Sequence, residues 1–484
     1  MNFDDETIHA LFGSEAAEDE NPKRLKQYFF KSDIYRSIRS PLPLKIVVGH
    51  KGIGKSAMIT IAIQEDQEEG ILPVLIKPND IADLQFESDN FIKLINHWKI
   101  GLTEIIARKA LQNLGQEADN TLEKLKNYGG RTVQFLIDSV KPIRDRVDLT
   151  SIQKLLIDKL LESSFINVYL DDLDRGWEGK KGDITRISAL LNAVRDISNE
   201  NRSIRFKVAL RSDVYFLVRT SDESTDKIEG AVTWHSWTNH EILALLVKRI
   251  ETFYSREVSE EELIALPQAQ LAQKLNGVMT PIFNGKGKWS SIPVHRMMMS
   301  LIRKRPRDLV KLCTLAAKQA QARKGAIIES SDFQSIFEEY SQGRVQDTIN
   351  EYRSELPDIE RLVMGMKPVR KNREAKFSYT YSTDQLIKKL KNVTEQGQFR
   401  FRNNSITTEK QLAQFLYKIN FLTARKELPN DFVQRRYFEE NRYLSSEFAD
   451  FGYDWEVHPA YRWALQPSDL LSVFDGLSVS TDQE

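Results

Sequence analysis

The chain has 484 residues, too many for a single hydrophobic core, so two or three domains are expected. Lys plus Arg and Asp plus Glu both number 69, which excludes a global electrostatic footprint for nucleic acid and leaves only a local basic face able to bind it. Apolar residues make up 41%, as in folded proteins, and the single cysteine, Cys313, excludes an internal disulfide or a cysteine-built metal cluster.

Residues 1–22 are acidic and carry a few apolar side chains, Phe3, Ile8, Leu11 and Phe12. They are expected to form a flexible arm, either a disordered tail or a short partner-docking motif. This start lacks the basic residues and apolar run of a secretion signal, and no apolar stretch reaches the roughly 20 residues that span a bilayer. A cytoplasmic protein without membrane contact is the expectation.

Residues 23–238 alternate short apolar runs with helical patterns. The runs are LKIVV (44–48), LPVLIK (72–77), FINVYL (165–170), IRFKVAL (204–210) and AVTWHS (231–236). They lack strict polar alternation, as strands buried on both faces do, so a parallel sheet in an α/β domain is expected. A long, charged helical stretch at about 90–163 reads as an insertion between the second and third strands. Residues 239–350 turn all-helical, and TNHE and SEEE carry Ser or Thr followed three positions later by Glu, a helix-start signature. Residues 351–484 form a mixed α/β tail, and no internal repeat of useful length is present.

Four motifs carry chemistry. GHKGIGKSAM (49–58) directly follows the first strand and places Gly49, Gly54, Lys55 and Ser56 on the spacing G-x-x-x-x-G-K-[ST]. Its glycines let backbone N–H groups of Gly49, Lys51, Gly52, Ile53, Gly54 and Ala57 face phosphates, with a helix N-terminus behind them. Lys55 would reach the β- and γ-phosphates of ATP, and the Ser56 hydroxyl would ligate Mg²⁺. In FINVYLDDLDRGW, Asp171 follows a buried strand and would hold the metal, while Asp172 would orient the attacking water. Arg175 either braces these carboxylates or touches nucleotide.

The strand IRFKVAL would lie beside the phosphate loop and ends in Arg211. Arg211 either binds the γ-phosphate, which departs on hydrolysis, or pairs with Asp213 or Asp172. In KRPRDLVKLC (304–313), Pro306 suits a first helical turn and puts Arg307 at a helix N-terminus, where a cation is disfavoured unless an anion is close. Arg307 is a candidate phosphate contact; the alternative is a surface Arg in the basic stretch Arg303, Lys304, Arg305, Arg307.

These elements, in this order, resemble the STAND and AAA+ groups of P-loop ATPases over about residues 24–345. LDDLDR is similar to the motif of KAP and NACHT-type signaling ATPases, Arg211 matches their sensor-1 arginine, and RPR looks like the x-P-R of sensor 2. Lys304 or Arg305 stands where a glycine is common in that last motif. The resemblance implies a P-loop NTPase core, a helical lid at 239–350 and a winged-helix-like C-terminal domain. It implies an adenine cradle just before the first strand, with Phe30, Ile34 and Tyr35 as candidates against core packing. Arg219 lies where AAA+ rings carry an arginine finger, and a solvated Arg is the other reading.

The implied protein is an ATP- and Mg²⁺-dependent switch in bacterial regulation or antiphage defence, acting through self-assembly or a protein effector. Two alternatives stand beside it. One is a DNA-binding initiator or transposition-type ATPase using the C-terminal domain, where KPVRKNREAKFSYTY (367–381) interleaves charge and aromatics. The other is a scaffold that holds ATP without turnover.

Overall fold

Branched and aliphatic residues dominate the five apolar runs, and each folds as a strand of one parallel sheet: β1 Leu44–Val48, β2 Leu72–Ile76, β3 Ile166–Leu170, β4 Ile204–Leu210 and β5 Val232–Trp234. The structure is a computed structural model that describes residues 1–82, 84, 90–115, 165–221, 223–368, 379–402, 405–429, 432–442, 444, 452–466, 473–474 and 477–480. The sheet order is β2-β3-β4-β1-β5, with every pairing parallel. Val48 pairs with both Leu210 and Trp234, and Leu170 pairs with Ile76 and Val208. The register therefore brings the residues following β1, β3 and β4 (Gly49, Asp171 and Arg211) to one edge, the carboxyl edge where open α/β sheets bind ligands. This is the expected α/β P-loop arrangement.

The chain divides into two units. One comprises Lys31–His50 and Lys55–His235; the other comprises Met1–Phe30, Lys51–Gly54 and Ser236–Glu484. In the sheet unit, the core joins Ile46, Val168, Phe206 and Val208 of the strands to Leu190 and Val194 of the helix Lys181–Glu200 and to Trp98 and Leu102 of the helix Phe91–Gly115. The Trp98 indole donates to the Arg186 carbonyl at 3.1 Å. The helix Phe91–Gly115 is the start of the expected insertion; residues 116–164 lie outside the described residues.

The second unit is mainly helical, around Asn239–Phe253, Val294–Leu301, Pro306–Ala322 and Ser330–Tyr352. Thr238 and Ser259 cap helices with Glu241 and Glu262 in return, as their spacing predicts. The helical stretch SEEELIALPQAQLAQKL is broken at Pro267 into Glu260–Ala265 and Gln268–Gln273, because proline lacks the N–H that would continue the ladder.

The flexible arm expected at residues 1–22 is corrected by the fold. Asp4 caps the helix Asp5–Phe12, and Phe3, Ile8, Leu11 and Phe12 are buried among Leu243, Leu309 and Leu312. Ile8, Leu11 and Phe12 share one helical face, and burying that face outweighs the acidic composition.

Toward the C-terminus, the helices Thr383–Thr394 and Glu409–Lys418 precede an antiparallel hairpin, Leu422–Glu427 with Phe432–Arg436, in the expected winged-helix-like manner. Leu412, Phe415, Leu416 and Ile419, spaced three and four apart along one helical face, are buried. The second strand of this hairpin ends at Arg436, and a further short strand lies at Thr380–Tyr381, with 377–378 outside the described residues. VHPAYRWAL takes a structural part here: Trp463 joins the hydrophobic core, and Arg462 pairs with Glu456.

Glu456 is fully buried and accepts from Arg435 at 2.9 Å as well as from Arg462. Burial alone would raise its carboxyl, but Arg435 and Arg462 outweigh that and hold it at about 2 against an ordinary 4.5. The unfolded chain thus binds the proton more readily. The contribution to stability is complete above the ordinary carboxylate value and falls away as pH drops toward the folded one. Urea midpoints should show this: the gap between wild type and Glu456→Gln narrows as pH is lowered from about 5 to about 3. A gap independent of pH would show that the ionised carboxylate contributes nothing.

Among the described residues, no helix is long and apolar enough to cross a membrane.

Candidate nucleotide site

The phosphate loop is a strand–loop–helix turn. Its start is pinned to the end of β4: the Gly49 N–H donates to the Leu210 carbonyl at 3.1 Å, and His50 Nδ1 lies 3.0 Å from the Ser212 hydroxyl. Gly52 (φ 81°) and Gly54 (φ 106°) adopt backbone conformations that a side chain disfavours. Gly52 has a second reason to be glycine, since a Cβ there would meet the Arg307 Cβ at 3.2 Å. The Ile53 carbonyl accepts from the Trp237 indole at 2.8 Å, and Lys51 is exposed. Lys55, Ser56 and Ala57 open the helix Lys55–Glu68, whose first N–H groups lack intrahelical acceptors. Lys55 folds back over the loop, its Nζ donating to the Gly49 carbonyl at 2.6 Å and the His50 carbonyl at 3.1 Å.

The acidic residues after β3 differ sharply in environment. Asp171 is buried, and its N–H donates to the Ile76 carbonyl at 3.2 Å. Asp172 is exposed and left-handed, with φ 61°. Asp174 is buried and accepts from the Arg211 N–H at 2.8 Å. Burial pushes its carboxyl above the ordinary range, opposed by the nearby charges of Arg211 and Lys55. Asp174, the third acidic residue of LDDLDR, has no role assigned by the sequence. Its only sequence signal is its position three residues after Asp171. Arg175 is exposed.

Arg211 stands at the tip of β4, as expected from the strand order. Its guanidinium forms a two-pronged pair with buried Asp213, at 3.1 and 2.6 Å, which is the pairing alternative left open by the sequence. Tyr35 is buried and donates its hydroxyl to Glu65 at 2.5 Å, within the packing between its own helix and the helix Lys55–Glu68. Phe30 packs against Trp237 at a centroid distance of 6.2 Å, and Ile34 is half-buried. Arg219 pairs with Asp226 at 2.7 Å and Glu229 at 3.2 Å and is partly exposed.

Arg307 lies in the first turn of Pro306–Ala322, with Pro306 at the favoured first position. Its N–H approaches the Gly52 carbonyl at 3.4 Å, and its Nε donates to the Glu15 carbonyl at 3.1 Å. The three basic residues before it are not a surface stretch. Arg303 pairs with Asp308 at 2.7 Å, Lys304 with Glu440 at 2.5 Å and Arg305 with Glu351 at 3.4 Å, and all three cations are buried. Arg344 also pairs with Asp308, at 2.6 Å. Burial would raise the Asp308 carboxyl, but Arg303 and Arg344 hold it well below the ordinary range.

The donor chemistry fits the expected ligands. Gly52 and Gly54 keep the loop free of side chains, Lys55 is a cation at its mouth, and the Ser56 hydroxyl and Asp171 carboxylate are the hard oxygens that Mg²⁺ prefers.

Comparison with known proteins gives distant likenesses. Residues 240–349 match the model of the FunZ-associated C-terminal helical domain. The "Putative transposon gamma-delta 80.3 kDa protein" of Escherichia coli (strain K12) is 22% identical over 394 residues, covering 74% of this chain and 54% of its own length. The chain thus spans about half the length of that relative. Among solved structures, Cdc6p from Pyrobaculum aerophilum aligns with a TM-score of 0.31 and 15% identity, over 96% of this chain and 97% of its own. The Aeropyrum pernix ORC2 protein (ADPNP–ADP complexes) aligns with a TM-score of 0.36 and 11% identity, over 85% and 91% respectively.

Proposed function

We propose that this chain binds and hydrolyses ATP with Mg²⁺, and that the state of the nucleotide sets its conformation. The observation that carries the reading is the phosphate loop itself: Gly52 and Gly54 at positive φ, with Lys55 folded over the loop at the carboxyl edge of a 2-3-4-1-5 sheet. In this reading Lys55 exchanges the Gly49 and His50 carbonyls for phosphate oxygens, and the backbone N–H groups of Gly49 and of Lys51 through Ala57 hold the remaining oxygens. Ser56 and Asp171 hold Mg²⁺, which neutralises charge on the phosphates when bound. Asp172, exposed at the strand end, accepts the proton of the attacking water. Asp174 steadies Lys55 and Arg211 through its charge and its bond to the Arg211 N–H. Arg211 leaves Asp213 for the γ-phosphate, and Arg307, packed on Gly52 of the loop, is a candidate phosphate contact. Tyr35 supports the loop helix through Glu65 and remains a candidate for the adenine side.

The finer reading is a STAND-type regulatory or antiphage-defence switch in the bacterial cytoplasm, acting by self-assembly or on a protein effector. A second reading is a transposition-type ATPase that binds DNA through residues 351–484. It is favoured by the name of the transposon relative and by the helix pair followed by a hairpin at 383–436.

One assay tests these readings. Asn tolerates the left-handed conformation of Asp172, so Asp172→Asn isolates the carboxylate. Phosphate release should fall roughly a hundredfold while affinity for a fluorescent ATP analogue stays unchanged. Asp174→Asn should lower both. Wild-type turnover in Asp172→Asn would sink hydrolysis through that carboxylate, and turnover stimulated by duplex DNA would move the assignment to the second reading.

A further inference from the structure

We infer that the amino-terminal segment 13–20 acts on the phosphate loop, with the Glu15 carbonyl as the positioning group that holds Arg307 against Gly52. This rests on the reading of Arg307 as a phosphate contact. Arg307 runs along the phosphate loop: a Cβ on Gly52 would lie 3.2, 3.4 and 3.6 Å from its Cβ, Cδ and Nε. The guanidinium is held by Glu15, whose carbonyl accepts from Nε at 3.1 Å. That bond uses the one donor that an end-on contact through both terminal amino groups does not need. The Glu15 carboxylate meets Lys311 at 3.0 Å, so one residue restrains two cations four positions apart on the same helix face.

The segment is built to hold this position. Gly13 has φ 74°, and a Cβ on it would lie 2.6 Å from the Tyr28 hydroxyl and 3.0 Å from Arg249 Nη1. The Phe12 carbonyl accepts from Arg249. Buried Glu20 closes the turn, accepting from the Ser14 N–H at 2.9 Å, the Asn21 N–H at 3.1 Å and the Tyr28 hydroxyl at 2.8 Å. A long side chain at a helix N-terminus would otherwise sample many rotamers and be repelled by the helix dipole. A fixed carbonyl restricts the rotamers and offsets part of the repulsion before phosphate arrives.

The test is the ratio of ATP to ADP affinity in the full chain, by competition with a fluorescent analogue, with thermal midpoints in parallel. Arg307→Ala sets the reference loss of ATP preference. Gly13→Ala should lower the ratio roughly three- to fivefold, and should add nothing when combined with Arg307→Ala. Lys311→Ala, a surface change that leaves the turn intact, should lower it in the same direction, and Lys311→Arg should restore it. A Gly13→Ala chain with a lower midpoint but a wild-type ratio overturns the positioning role, as does Lys311→Ala with a wild-type ratio. If Arg307→Ala itself leaves the ratio unchanged, the phosphate role of Arg307 fails and the inference falls with it.

Discussion

Lys55→Ala is expected to lower ATP turnover by roughly a hundred- to a thousandfold and to weaken ATP binding, with a thermal midpoint near that of wild type. Two features set this expectation. Lys55 Nζ spans the loop, 2.6 Å from the Gly49 carbonyl and 3.1 Å from the His50 carbonyl, so it stands where phosphate oxygens would take their place. Its charge also lowers the cost of keeping Asp174 ionised in a buried position. Removing the amine takes away the cation folded over the loop and leaves Asp174 with Arg211 as its main remaining positive neighbour. The fold should tolerate the change, because the loop's other anchors, Gly49 to Leu210, His50 to Ser212 and Ile53 to Trp237, do not involve Lys55. Phosphate release and analogue titration check the first part and differential scanning fluorimetry the second. Turnover within about threefold of wild type would mean that any measured hydrolysis arises outside this loop.

Asp308→Ala should have the largest effect on stability, about 3–5 kcal/mol in urea unfolding. Asp308 is 1% exposed and faces two arginines that are each 3% exposed. Arg303 bonds it through Nε at 2.7 Å and Nη2 at 2.9 Å, and Arg344 through Nη1 at 2.6 Å. Arg303 reaches further, to the Thr348 hydroxyl at 3.1 Å and the Tyr461 hydroxyl at 2.9 Å. Alanine would leave buried Arg303 without a counter-charge and Arg344 with only the solvent-facing Asp347 carboxylate at 2.9 Å, so much of their desolvation would go uncompensated. Asp308 also follows Arg307 directly, so the damage should extend to ATP affinity. Asp308→Asn keeps the shape and some hydrogen bonds and should cost less. A loss below about 1 kcal/mol for Asp308→Ala would show that the cluster relaxes to admit water or an anion.

What sequence alone determined about this protein is local or periodic. Five apolar runs became five parallel strands, because strands buried on both faces need continuous hydrophobic residues and short runs with helices between them cannot pair otherwise. The phosphate loop was legible because its glycines and Lys55 are consecutive, so backbone conformation and chemistry are written in one stretch. Capping at Thr238 and Ser259 was legible for the same reason.

Tertiary structure decided everything that depends on who meets whom at long range. Three acidic residues in LDDLDR look alike as letters, yet burial separates exposed Asp172 from Asp171 and Asp174. Arg303, Lys304 and Arg305 read as a solvated basic run, but each finds a carboxylate 5, 136 or 46 positions away, and pairing allows a charge to leave water. The acidic amino terminus read as free chain because its composition is polar on average. Its four apolar side chains have a core to enter, formed by helices some 230 residues or more downstream, and from there Glu15 reaches Arg307 across 292 positions. Spacing within a motif records backbone geometry, whereas the partner that makes a buried charge tolerable is recorded only in the folded chain.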